Sequence, residues 1–499
     1  MRLCSLEVTV GYRTPISTVL LLMFTVSLHN SNPLIINTGD RQLATALLWA
    51  CLLPVGQVWS VDRLLRPAEA AAAKPPPDHQ PSSNWAELGY VTQIVLPYWM
   101  AAGHKYLQGW LIEGSAVWFA FHIDIFTWPA ARQLLAFPAL LQLFSRGAYL
   151  IQWTAPLLLI WPSRSITPRL VGLALLASMY LGFLPFLKLG LFPWVSLVCL
   201  LPLLPGQLWQ SWLKPRPEGP TLPTIYYDQD CRFCRDAATI VSRLLCLEDC
   251  PLLPAQSDAS VEALMGQANS WVVQTATGQR CVEFAAFLQL CVASPWAHRL
   301  YWLVRNHRRS AWRLLNALRG KPIHIGSRLQ QTCATTAIGL MLVAAWHAGL
   351  AQVSGQFQQA TASFGNRLRH LGLQQRWMVF SPMPMVNDGW FELHLKPQHG
   401  PRQRLLVPSL MPSSGGVNPL RSQPLYRTQR QRKFFSNLQE PKHSKAAEAY
   451  ARYACRQLAA TPGFTSGELE LVWMQETTQP PPLSPAPVQA VSQLRQRCG

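Results

Sequence analysis

Two thiols stand three positions apart in the run YYDQDCRFC, which spans residues 226–234. The C-x-x-C spacing of Cys231 and Cys234 admits three readings: thiol–disulfide exchange, half of a zinc site, or two cysteines that merely pack. The preceding TIYYD (residues 224–228) has the β-branched and aromatic content of a buried strand. After the thiols, Ala237, Ile240, Val241, Leu244 and Leu245 recur at i, i+3, i+4, i+7 and i+8, the apolar stripe of an amphipathic helix. The thiols therefore fall where a strand hands over to a helix N-terminus. Unpaired backbone N–H groups and the positive dipole end favour a thiolate there. Arg232 and Arg235 add positive charge, and Asp228 and Asp230 oppose it. Cys231 is the expected nucleophile, and Cys234, one turn in, the thiol that resolves a mixed disulfide. Cys246 and Cys250 follow, so a four-thiolate zinc site is conceivable. An intact helix would hold Cys234 and Cys246 about 18 Å apart, and the apolar stripe favours that helix over the loop zinc needs.

The elements around the dithiol read as a β-α-β-α-β-β-α series. LLPAQ (252–256) is a second strand and SVEALMG (260–266) a short helix. SWVVQT and RCVEFA flank a turn at Thr277–Gly278 as a hairpin, and AAFLQLCVA (285–293) closes the block. This is the order a thioredoxin-like layout requires, and it sets a domain at 222–321.

The run YYDQDCRFCRDA resembles the DCC family of thiol-disulfide oxidoreductases, whose signature is a Tyr-Asp pair followed by Asp-Cys-x-x-Cys. The likeness covers roughly 222–319, and its first dozen residues carry the specificity. It implies a thioredoxin-like fold, protein-disulfide reductase activity, and Cys231 with Cys234 as the active pair. Gln229 stands where the family usually has Gly, and Arg232 where Pro is common. Thioredoxins proper also place a cis-proline opposite the dithiol; here that position falls near Ser270.

Whatever holds this block is apolar. Of 499 residues only 13% are charged, against about a quarter in soluble domains. The 20 Trp and 41 Pro fit a polytopic membrane protein. Candidate spans are 16–29, 43–61, 90–102, 134–161, 170–187, 189–208 and about 334–353. The first reads as an anchor, and Ser145–Gly147 interrupts the fourth. A Pro-rich linker at 214–223 precedes the dithiol block. The multi-pass domain is thus 14–210, the last transmembrane helix 334–353, and 354–499 a polar, partly β extramembrane segment. Its PPPLSPAP (480–487) reads as a disordered tail. The formal charge of +19 suits either nucleic acid or an anionic membrane surface. The cations cluster beside apolar segments and no nucleic-acid motif is present, which favours membrane lipid. HRLYWLVRNHRRSAWRLL (298–315) reads as a basic amphipathic helix on anionic lipid. Between Arg299 and Arg328 stand eight Lys/Arg and no acid. The positive-inside rule then places the dithiol domain in the cytoplasm and the C-terminal segment opposite. Of the twelve cysteines, those inside apolar segments, such as Cys51 and Cys199, read as small buried hydrophobes. Only the Cys231/Cys234 spacing implies chemistry.

WSVDRLL (59–65) and LPYWMAAGHKYLQGW (96–110) resemble the membrane domain of vitamin K-dependent gamma-carboxylases and their bacterial relatives, the HTTM family. LGLFPWVSL (189–197) and RWMVFSPMPMVNDGW (376–390) extend the likeness. It implies a quinone site: Lys105 falls where the carboxylases carry the base that deprotonates vitamin K hydroquinone. A lysine beside an apolar stretch can have its pKa lowered by desolvation; the plainer reading is a helix-end lysine that snorkels to the interface. Tyr180 occupies a family histidine position, and Lys188 interrupts the next apolar run. His29, His104, His122 and His347 lie on separate segments without metal-ligand spacing and read as helix-end or interfacial residues.

The expected fold is a polytopic α-helical membrane domain with an inserted α/β thioredoxin-like domain and a C-terminal polar, partly β segment. The expected activity is reduction of a disulfide in a protein or small thiol compound at Cys231/Cys234, with no metal or cofactor. The alternatives are quinone-linked, carboxylase-like chemistry with Lys105 as base, and a non-catalytic membrane scaffold with a degenerate redox module.

Overall fold

In a computed structural model the chain is mostly helical with two small sheets. The described residues are 1–56, 60–64, 85–163, 165–208, 222–245, 247, 250–268, 270–275, 277–294, 297, 327–375, 377–399, 401–412, 419–421, 425–460, 466–480 and 488–498. The linker at 214–221, most of the basic flank at 298–326, and Pro481–Pro487 of the Pro-rich run lie outside them. Contacts divide the chain into two units. One comprises Met1–Phe24, Leu47–Gly89 and Leu204–Thr336; the other comprises Thr25–Ala46, Tyr90–Leu203 and Ala337–Gly499.

The first unit contains a four-stranded sheet built from β1 (Thr224–Tyr227), β2 (Leu252–Pro254), β3 (Val272–Gln274) and β4 (Arg280–Val282), in the order β2-β1-β3-β4. β1 pairs parallel with β2, and β1–β3 and β3–β4 are antiparallel. Alternation sorts the side chains to two faces. Ile225, Val273 and Cys281 stand in register on one face, with Ala238 and Val241 of the helix Arg232–Leu244, its C-cap Leu245, and Ala286 and Leu290 of the helix Glu283–Ala293. Tyr226 and Val272 turn to the other face, against Val261 of the helix Ala259–Ala268. The sheet is thus covered on both sides, which suits a parallel β-α-β start. The buried arc of Arg232–Leu244 is rotated from the sequence stripe. Ala238 is fully buried and Leu244 exposed, because the small Ala238 faces the sheet and permits close approach. Gly278, at φ 83°, makes the β3–β4 turn in a conformation that favours glycine.

In the second unit, Pro138–Ile160 runs unbroken through residues 145–147, with the Ser145 hydroxyl donating to the Leu141 carbonyl at 2.9 Å. It packs along Thr167–Phe183, and at Gly172 a Cβ would lie 2.8 Å from the Ala155 carbonyl oxygen. Among the described residues, one helical stretch, Thr332–Ala351, is long and apolar enough to cross a membrane. Thr167–Phe183 and Phe192–Leu203 are apolar but shorter. Several sequence segments fall short for a physical reason: Thr38–Leu52 stops before Pro54, and Phe192–Leu200 passes at Pro202 into a 3-10 turn.

The same unit carries an antiparallel sheet of β5 (Asn387–Pro397), β6 (Gln403–Leu406), β7 (Met411–Pro412), β8 (Gly467–Thr477) and β9 (Gln489–Cys498), ordered β7-β6-β5-β8-β9. Phe391, Leu393, Leu395, Leu469, Leu471 and Trp473 form the face beneath the helices Gln429–Leu438 and Ser444–Ala459. The residues after the Pro-rich run are therefore paired in a strand. Cys498 of β9 is disulfide-bonded to Cys455 of the last helix, Cα atoms 5.2 Å apart. The sequence reading, which credited only Cys231 and Cys234 with chemistry, missed this bridge. Its partners lie 43 residues apart, and their pairing depends on β9 docking beside the helix.

Candidate active site

Cys231 is the N-cap of Arg232–Leu244, with extended backbone (φ −100°, ψ 98°). Its sulfur accepts the Cys234 backbone N–H at 3.2 Å, and its own N–H donates to the Asp228 carbonyl at 3.3 Å. A sulfur thus fills the acceptor role that Ser or Asp usually takes at a helix start. Cys231 and Cys234 form a disulfide with Cα atoms 5.2 Å apart, and both are half-buried. The end of β1 brings them there. Gln256, just after β2, clamps the loop by donating to the Asp228 carboxylate at 2.7 Å and accepting the Gln229 N–H at 3.1 Å. The Asp228 carboxylate also accepts the Asp230 N–H at 3.1 Å. Asp228 is therefore a loop-forming residue. Asp230 and Arg235 are exposed, and the Arg232 side chain lies outside the described residues. Ser270, near the position of a thioredoxin cis-proline, accepts the Glu283 N–H at 2.9 Å. Cys250 is buried in the apolar core around Ile225, Cys246 lies outside the described residues, and no group of three or more metal-ligating side chains occurs among those described.

Lys105 sits in the second unit, two residues past the helix Trp85–Gly103 and beyond the candidate span at 90–102. It does not snorkel: it is 6% exposed. Its ammonium donates to the Val379 carbonyl at 3.1 Å, Ser381 Oγ at 3.3 Å and the Ala101 carbonyl at 3.4 Å, and lies 4.5 Å from the Trp110 ring centroid. Among the described residues no carboxylate pairs with it, and burial lowers its pKa to about 7. Lys105 lines a cavity of about 430 Å³ with Tyr98, Gln152, Tyr180 and Trp377. The Tyr98 and Tyr180 hydroxyls meet at 2.6 Å, and Gln152 Oε1 is buried with no hydrogen-bond partner among the described residues. Tyr180 thus faces the same space as Lys105. Lys188 instead lies over the Trp128 ring at 4.9 Å. His104 and His122 bond carbonyls one turn back, and His347 pairs with Thr361.

The sequence reading also missed a buried carboxyl pair. Asp388, 3% exposed, accepts the Ile125 N–H at 3.3 Å. Burial first, then the nearby Asp124 charge, raises its pKa to about 7, while Asp124 is held by Arg132 at 2.8 Å. Asp388 is the one acid in the run 376–390 quoted from the sequence, so attention to it would have found it. Comparisons with protein-family models, curated proteins and solved structures each return no match.

Proposed function

We propose that the chain is a membrane-held thiol–disulfide oxidoreductase of the DCC type, with a thioredoxin-like dithiol domain and an HTTM-type polytopic helical part. The observation that carries this reading is the Cys231 sulfur at a helix N-cap, bonded to Cys234 one turn inside. In the reduced state the Cys231 thiolate attacks a substrate disulfide, forming a mixed disulfide and releasing one substrate sulfur as thiolate. Cys234 then loses its proton and attacks Cys231 sulfur. The second substrate thiol leaves, and two electrons have passed from the dithiol to the substrate. The helix N-terminus stabilises the attacking anion, and the Gln256 clamp holds its loop. Substrates are disulfides of proteins or small thiol compounds, and an external thiol reductant restores the pair.

Exposed Leu143, Leu157, Leu181, Trp194 and Val198 on helices of the second unit support contact with lipid, since soluble proteins seldom leave large apolar patches bare. The cytoplasmic placement of the dithiol rests on the basic flank. The opposite placement of the C-terminal segment is supported by Cys455–Cys498, because disulfides persist in oxidising compartments. A second reading, quinone-linked chemistry, is favoured by one observation: a buried lysine without a carboxylate, facing an apolar cavity of ligand size.

The test is turnover of an oxidised protein substrate by the full chain in nanodiscs. Cys231→Ser should abolish it and Lys105→Ala should leave it intact. Normal turnover by Cys231→Ser would eliminate the proposal, and indifference to both substitutions in every assay would favour a scaffold.

A further inference from the structure

The Lys105 cavity adjoins a second space of different character. Thr38, Phe192, Val379 and Phe380 line both the cavity and a chamber of about 590 Å³. The described lining of that chamber is strongly basic: Arg41, Arg369, Arg432, Lys433 and Lys442 stand against one carboxylate, Glu440. Glu440 is already engaged by Lys442. Arg432 is 7% exposed, donates Nη1 to the Ile125 carbonyl at 3.2 Å and lies 4.8 Å from the Phe126 ring centroid. Its Nε is buried and has no hydrogen-bond partner among the described residues. Lys433 has its pKa lowered first by burial, with Arg41, Arg432 and Lys442 lowering it further against the pull of Glu440, so these cations crowd one another. Gathering like charges in a partly buried chamber is costly unless a counter-charge enters. Arg432, Lys433 and the other cations that line the chamber can offer charge-assisted hydrogen bonds to such a counter-charge.

We infer that this pair of spaces binds an anionic amphiphile, with a phosphate-type head in the basic chamber and an apolar chain in the Lys105 cavity. This goes beyond the dithiol chemistry and does not depend on it. It also differs from the quinone reading, whose ligand carries no anionic head. The chamber is too small for a nucleic-acid strand, and its apolar annex gives such a strand nothing to bind.

Dodecyl phosphate, dodecanol and inorganic phosphate separate the sources of affinity. Each is titrated into the full chain in nanodiscs of uncharged lipid, with tryptophan fluorescence as readout because Trp110 and Trp377 line the apolar cavity. Dodecyl phosphate should bind at least about tenfold tighter than either other probe. Arg432→Gln should weaken it by about tenfold or more, the scale of one lost charge-assisted hydrogen bond. Lys433→Gln, at a half-buried position, should weaken it severalfold and serves if Arg432→Gln fails to fold. Equal binding of dodecanol would overturn the anion site, and equal binding of free phosphate would overturn the amphiphile. Wild-type affinity in folded Arg432→Gln or Lys433→Gln would overturn both.

Discussion

Cys455→Ser should destabilise the C-terminal sheet by about 2–4 kcal/mol, because it opens the bridge to Cys498. The two cysteines are 43 positions apart. In the chain-entropy description, closing a loop of that length removes about 13 cal/mol/K from the denatured ensemble, roughly 4 kcal/mol at room temperature. Residual structure in the denatured chain reduces that figure. Cys455 is the better position to change, because it is half-buried, while Cys498 is packed in the core with Leu471 and Ala454. Left as a thiol, Cys498 remains a small apolar side chain. Urea unfolding of the full chain in micelles, followed by fluorescence of Trp390 and Trp473 in the sheet, reads the loss. Wild type should fall to the variant's midpoint when a thiol reductant is added. Coincident midpoints without reductant would refute the reasoning, as would alkylation of Cys455 in the untreated native protein.

Two further outcomes follow from buried ionisable groups. The Asp388 carboxyl is raised from 3.8 to about 7 in the folded chain, so the folded state holds its proton more tightly. Its contribution is fully present below about pH 4 and lost as pH rises through 7, about 4 kcal/mol in all. The stability difference between wild type and Asp388→Asn, measured by unfolding across that window, should therefore shift steadily in favour of the variant; a pH-independent difference would contradict it. Lys105→Met keeps the side-chain volume and removes the amine. Binding of a short-chain naphthoquinone should weaken in this variant, and any quinone-dependent activity of wild type should fall as pH drops below about 7 and the amine becomes charged. Quinone binding equal to that of wild type would remove Lys105 from the site.

What the sequence disclosed was local. The strand–thiol–helix junction was legible because TIYYD and the following apolar stripe report two different periodicities within one short stretch. The same locality explains the errors. The rotation of the dithiol helix depends on Ala238 meeting the sheet, which a stripe of larger residues cannot announce. Lys105 reads from sequence more plainly as a snorkelling residue, because the carbonyls around its amine come from Ala101 and, far along the chain, Val379. Gln256 and Cys455–Cys498 act across tertiary contacts and leave no mark in spacing. The basic chamber draws Arg41, Arg369 and Lys433 from separate segments, so no run of charge revealed it.

Mass spectrometry of Cys234→Ser exposed to oxidised glutathione probes the poised sulfur itself. The full chain, reduced and then challenged in nanodiscs, should carry glutathione on the peptide that contains Cys231, stable until thiol is added. The companion Cys231→Ser should remain largely unmodified at Cys234. Preferential modification of Cys234, or none at Cys231, would contradict the assignment of Cys231 as the attacking group.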